Sequence, residues 1–190
     1  MAIVKGGYDV LFTNIKTALE TYSAAQLADE RFSVYSDYTR NFPAGSDLAN
    51  VFIYMGSINP TEQNVQGFYQ YAVTYFIDMV AQATGTLSST AYERASEAAG
   101  VRLRGLIQQC LNALFVPGDF RLSMPGGSIS KRPMPRIDIL NLQELAIERP
   151  MAGARMTLET GLCFEPGAIE GTPIDSYSIT STLWSALIEP

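Results

Sequence analysis

The chain has 190 residues, enough for one domain with a substantial core and no staples. Its net charge of −6 argues against a general nucleic-acid binder, although local basic patches stay open. Histidine is absent, which removes the commonest general base and the commonest transition-metal ligand.

Two cysteines, Cys110 and Cys163, cannot form a zinc site by themselves and read as buried reduced thiols. The opening MAIVKGGYD lacks a long apolar region, so no signal peptide is expected. No stretch of about 18 apolar residues occurs, so no membrane span is expected. Ten tyrosines and nine phenylalanines with only 17% charged residues suit a surface that meets other protein, and a large core explains the same numbers.

Tyr8, Leu11, Phe12, Ile15, Leu19 and Tyr22 recur at helical spacing, predicting an amphipathic helix over 8–28 that lays its stripe on a sheet. Phe32, Val34 and Tyr38 begin a short strand, and Asn41 to Asp47 is a loop with strong breakers. Val51 to Met55 is a continuous apolar run read as a strand, and Asn59-Pro60 marks the turn after it. The run 65–84 is free of proline and alternates. Tyr69, Tyr71, Val73, Tyr75, Ile77, Met79 and Ala81 make an apolar face, and the other face is mixed, as in a half-buried strand. Asp78, on the mixed face, is expected at the sheet edge or in solvent. Three strands with short links favour an antiparallel meander.

Thr90 and Glu93 fit a capping box. Behind it Tyr92, Ala95, Ala99, Leu103, Leu106, Cys110 and Leu114 form a stripe, predicting a helix over 89–115 that Pro117-Gly118 stops. Ala98-Ala99-Gly100 allows close backbone approach, by the sheet or by another subunit. Residues 116–135 read as an extended irregular loop with basic Arg121, Lys131 and Arg132, Arg136 following, and a small hairpin around Phe120, Leu122 and Met124. Its Pro125-Gly126-Gly127 lacks the spacing of a phosphate loop. Ile137, Ile139, Leu140 and Leu142 start a second run of strands that Gln143 to Arg149 continues. Pro150 to Gly153 reads as a turn, and Met156, Leu158, Thr160, Leu162 and Phe164 alternate as a hairpin partner with one wet face.

From 166 onward periodicity weakens, yet Tyr177, Ile179, Leu183, Trp184, Leu187 and Ile188 are too apolar for a solvated tail. They read as an arm docking on its own domain or on a neighbour. After Arg155 no Lys or Arg follows, while Glu159, Glu165, Glu170, Asp175 and Glu189 do. The basic residues near Lys131 and this acidic part can face each other across a head-to-tail contact, or both be solvated.

The expected fold is therefore α+β: a mainly antiparallel sheet of four to six strands with two long amphipathic helices on one face, an extended loop and a C-terminal arm. Residues 1–165 form one domain and 166–190 the arm. No paired-acid spacing or nucleophile elbow is present, and a Ser-His-Asp triad is impossible, so no enzyme and no cofactor is expected.

The order of elements resembles the tail terminator and tail-completion (head–tail joining) proteins of tailed bacteriophages. The residues carrying it are YDVLFTNIKTALETY, QYAVTYFIDMVA, YERASEAAGVRLRGLIQQCLNALF and IDILNLQELAIERPMAGARMTLETGLCFEP, covering roughly 8–165. The loop 116–135 and the arm are not explained by it. The resemblance implies a structural virion protein, assembled in the host cytoplasm, that forms a hexameric ring at the head-proximal end of the tail. Its partners would be itself, the tail tube or sheath protein and the neck or connector, with DNA only passing through. Two other classes remain: another phage neck, tube or baseplate protein, and a cellular module that binds a small ligand. The interface candidates are Tyr69, Tyr71, Phe120, Arg121, Lys131, Arg132, Arg136, Tyr177 and Trp184. The two tyrosines lie where the long strand outruns its helices and can pair between subunits.

Overall fold

The computed structural model describes residues 7–36, 49–63, 69–83, 89–115, 122, 124, 129–140 and 150–164; for 61–63, 69, 89–95, 129–131 and 164 it describes the backbone alone. Among the described residues the architecture is α+β, with two helices and a five-stranded mixed sheet. In chain order the elements are α1 (Gly7–Ala24), β1 (Ser33–Ser36), β2 (Ala49–Gln63), β3 (Tyr69–Gln82), α2 (Ser89–Leu114), β4 (Ile129–Leu140) and β5 (Met151–Phe164). The strand order is β1-β2-β3-β5-β4, so β3 is central and β1 and β4 are the edges. β2, β3 and β5 have 15, 14 and 14 residues, more than twice the usual strand length of about 5–6.

The helices form where apolar side chains recur every three to four residues. Leu11, Ile15 and Leu19 of α1 and Leu103, Leu106, Cys110 and Leu114 of α2 are buried. They share one core with Val51, Ile53, Val73, Tyr75, Ile77, Met79, Ala154, Met156, Leu158 and Leu162 of the sheet. Burying each large aliphatic side chain contributes roughly 1.5–3 kcal/mol.

Polar contacts then fix how the chain enters and leaves the helices. The Ser23 hydroxyl donates to the Phe32 carbonyl at 2.6 Å and accepts the Phe32 N–H at 3.0 Å, closing the link from α1 to β1. α1 has no basic residue in its last turn, and Arg31 donates instead to the carbonyls of Ala24 and Gln26. Arg102 and Gln109 of α2 donate to the carbonyls of Asp29 and Glu30 in the same link. The Asn14 amide donates to the Leu122 carbonyl at 3.0 Å, holding buried Leu122 against α1. Leu122 has φ 49°, a left-handed conformation uncommon for a leucine.

Five local expectations are corrected. First, β1 pairs parallel with β2, so the sheet is not a pure meander. The intervening residues 37–48 make a link of about a dozen, long enough for a crossover. Second, Asn59-Pro60 is not a turn; β2 continues through it to Gln63. Register shifts at Met55/Ser57 and Pro60/Glu62 show why, since a proline is tolerated at a bulge. Third, Met151 to Gly153 belong to β5 and pair with Gln82 to Val80. Fourth, residues 129–135, expected in the loop, begin β4, where the shift between Lys131 and Met134 accommodates Pro133 and the edge position accommodates Pro135 opposite Leu158. Fifth, a Cβ on Gly100 would meet nothing closer than Arg104 Nη1 at 4.0 Å, so among the described residues the sheet does not make the close approach, which leaves the subunit alternative as it stood.

α2 begins at Ser89, one residue ahead of the expected cap, and the side chains of Thr90 and Glu93 lie outside the described residues. So do the loop positions 116–121, the continuation 141–149 and the arm 166–190.

Candidate functional site

The largest departure from expectation is Asp78. It sits on the central strand with only 2% exposure, not at an edge or in solvent. The register explains its company: Asp78 lies opposite Phe52 on β2 and opposite Arg155 on β5. Directly opposed side chains share a face, so an aspartate and an arginine on paired strands meet. Arg155 Nε donates to Asp78 Oδ1 at 2.7 Å and Nη2 to Oδ2 at 2.9 Å, a bidentate pair. The same Nη2 donates to Tyr54 Oη at 2.6 Å, and the Tyr54 hydroxyl donates to Asp78 Oδ2 at 2.9 Å.

Aromatic rings shield this triangle. The Arg155 guanidinium stands 4.9 Å from the Phe76 ring centre and 5.8 Å from that of Tyr54. Phe76 in turn leans over Gly56, where a Cβ would fall 2.4 Å from the ring. A side chain at this bulge would therefore have to push the covering ring aside. Beyond the triangle, Tyr35 stacks on buried Phe52 with centres 5.3 Å apart. The cluster joins β2, β3 and β5 on the face opposite the main core. Its donors and acceptors answer one another, which makes it a device for fixing register.

The expected interface residues fall in different places. Tyr69 starts β3, with its backbone between Gln63 and Phe164. Tyr71 is half-buried against the core. Lys131 is on β4 opposite Gly161, and Arg132 and Arg136 on the same strand are exposed. Arg136 Nη2 meets Asp138 at 3.1 Å across exposed surface. Phe120, Arg121, Tyr177 and Trp184 lie outside the described residues. The structure thus brings three basic candidates together on one edge strand and keeps Tyr71 at the centre of the sheet.

A shallow cleft between α2 and the link after α1 is lined by Asp29, Glu30, Ala49, Arg102, Gly105, Leu106 and Gln109. Arg102 and Gln109 already serve the Asp29 and Glu30 carbonyls there. Cys110 and Cys163 are free thiols, the first buried and the second partly so, and burial pushes the Cys110 thiol up to about 12. Among the described residues no group of three or more Cys, Asp or Glu is placed to hold a metal ion, and no helix is long and apolar enough to cross a membrane.

Sequence reasoning missed Tyr54, Gly56 and Arg155. Asp78 and Arg155 are opposite charges, each inside a long alternating strand, but only the register of β3 and β5 shows that they meet. No protein-family model and no curated protein matches the chain.

Proposed function

We propose that the protein is a structural virion component that forms a hexameric ring at the head-proximal end of a phage tail. There it terminates polymerisation of the tail tube and docks to the neck or connector. In this reading the two helices cover one face of the sheet, and the long strands, the segment 116–128 and the arm 166–190 serve contacts with other subunits. The acidic net charge suits a channel along which DNA slides without sticking.

The observation that carries the reading is β4. This 12-residue edge strand bears Met134 at 67% and Ile139 at 71% exposure beside exposed Arg132 and Arg136. Large apolar and arginine side chains on one uncovered strand suit a protein-contact surface. The order of elements adds to this, since it resembles that of tail terminators.

Light scattering on the purified chain, followed by negative-stain microscopy, tests the proposal. Closed rings that cap isolated tail tubes are the expected outcome. A monomer that binds small molecules overturns it in favour of a ligand-binding module. Rings or tubes that fail to cap favour another neck, tube or baseplate component.

A further inference from the structure

Among the described residues β4 has a single strand neighbour, β5, and α2 packs chiefly over β3 and β5 while α1 lies against α2 and β1. The register sets Ile139 opposite buried Ala154 and Met134 opposite exposed Glu159. Opposed residues share a face, so β4 presents apolar side chains on both faces of the sheet. Pro133 and Pro135 remove N–H donors from its first half. Arg136–Leu140 contains no proline, so the backbone groups that it does not spend on β5 point outward from the sheet edge. Arg136 is 78% exposed, and its pair with half-exposed Asp138 is of the weak surface kind.

The same chain contains a segment of matching chemistry. β5 ends at Phe164, two residues past Leu162, whose β4 partner is Ile129. At Phe164 β5 has therefore reached the end of the sheet where β4 begins. The chain beyond 164 carries Glu165, Glu170, Asp175 and Glu189 and no lysine or arginine. Within it, IDSYSITST at 174–182 alternates Asp175, Tyr177 and Ile179 with Ser176, Ser178 and Thr180, a short strand-like pattern after Pro173. Met134 and Ile139 nonetheless stay exposed in the single chain. Donor and acceptor are different surfaces, and such a heterologous contact closes into a ring when the rotation permits.

We propose that the Arg136–Leu140 edge of β4 receives residues 174–182 of a second copy as an added strand. Ile179 lies against exposed Ile139 with Tyr177 on the same face, and the acidic residues lie beside Lys131, Arg132 and Arg136. This rests on the ring reading and names the contact that builds the ring.

The test uses full-length chains in a Cys163→Ser background. Ile139→Cys and Ile179→Cys are placed on separate chains, one with a size tag, mixed and oxidised. A disulfide-linked heterodimer is expected, and the double variant is expected to form a ladder of linked multimers. Links confined within single chains overturn the proposal, because the segment then covers its own edge. Rings without links overturn it and leave the ring reading standing. Links without closed rings keep the strand exchange and overturn the ring. Monomers without links overturn both. As a second measurement, Ile139→Asp is expected to abolish the assembled species while leaving the circular-dichroism melt unchanged, and unaltered assembly overturns the proposal.

Discussion

The two faces of β3 are held by different physics. On one face Val73, Tyr75, Ile77, Met79 and Ala81 are at most 1% exposed and share one core with buried residues of the helices. Their contribution scales with area and tolerates changes of shape that conserve volume. On the other face Phe76 and Asp78 are joined to Tyr54 and Arg155 by directional contacts. That arrangement contributes little net energy for its size, because burying the charges offsets much of their attraction. What it supplies is register. A slip of one residue exchanges the two faces of a strand, and a bidentate pair between β3 and β5 penalises that slip. Loss of the apolar face therefore weakens the fold, whereas loss of one polar partner strands the others.

The largest effect is expected on the apolar face. Ile77→Ala should cost about 4 kcal/mol, because the site is fully enclosed and collapses little. Urea denaturation measures it, and a loss below about 1 kcal/mol would mean that the core is loosely packed there. Asp78→Ala should cost about 2 kcal/mol, less than a fully buried pair would lose because Arg155 is 36% exposed. The sharper experiment is the double change Asp78→Leu with Arg155→Met. It should lie closer to the wild type than either single change, since no charge is left unanswered. Additive losses in that cycle would show that the pair acts through something other than mutual satisfaction.

A smaller effect tests the same face through its aromatic lid. Gly56→Ala places a methyl against the Phe76 ring and should cost about 1–2 kcal/mol. Combined with Phe76→Leu, much of that cost should disappear. If the two changes prove independent in thermal melts, the ring is not what demands the glycine.

These contrasts also explain what was legible in the chain. The helices were, because Leu11, Ile15 and Leu19 and then Leu103, Leu106 and Cys110 repeat at a local period that only a buried helix face requires. The strand containing Met156, Leu158 and Leu162 was legible for the same reason at period two. Asn59-Pro60 and the Pro150–Gly153 stretch misled, because their local turn chemistry is overridden by pairing with strands far along the chain. The parallel pairing of β1 depends on where the link 37–48 delivers the chain, which no local pattern records. The Asp78–Arg155 pair spans 77 residues, so it emerges only once the register of β3 and β5 is known. Of the basic residues expected at an interface, Lys131, Arg132 and Arg136 do share an edge strand, as their closeness in sequence allowed.

The smallest expected effect tests the apolar face by pH. Cys110 points from α2 into the main core, and burial there holds its thiol up to about 12. In the unfolded chain the thiol ionises near its ordinary value of about 8.5. Between these values the folded chain keeps a proton that the unfolded chain has released. Stability contributed by this group is complete below the unfolded value and falls as pH rises toward the folded one. The fall amounts to about 1 kcal/mol between about pH 8 and pH 9.5. Tyrosines titrate in unfolded chains at about 10, so this window isolates the thiol from buried Tyr75, whose hydroxyl donates to the Tyr8 carbonyl and is pushed upward by burial and by Asp9. Cys110→Ala removes the titrating group at the cost of a small cavity. Its stability should start lower at neutral pH and change less across the window. Parallel curves for the two proteins, measured by urea denaturation, would place the Cys110 sulfur in contact with water and the α2 stripe away from the sheet.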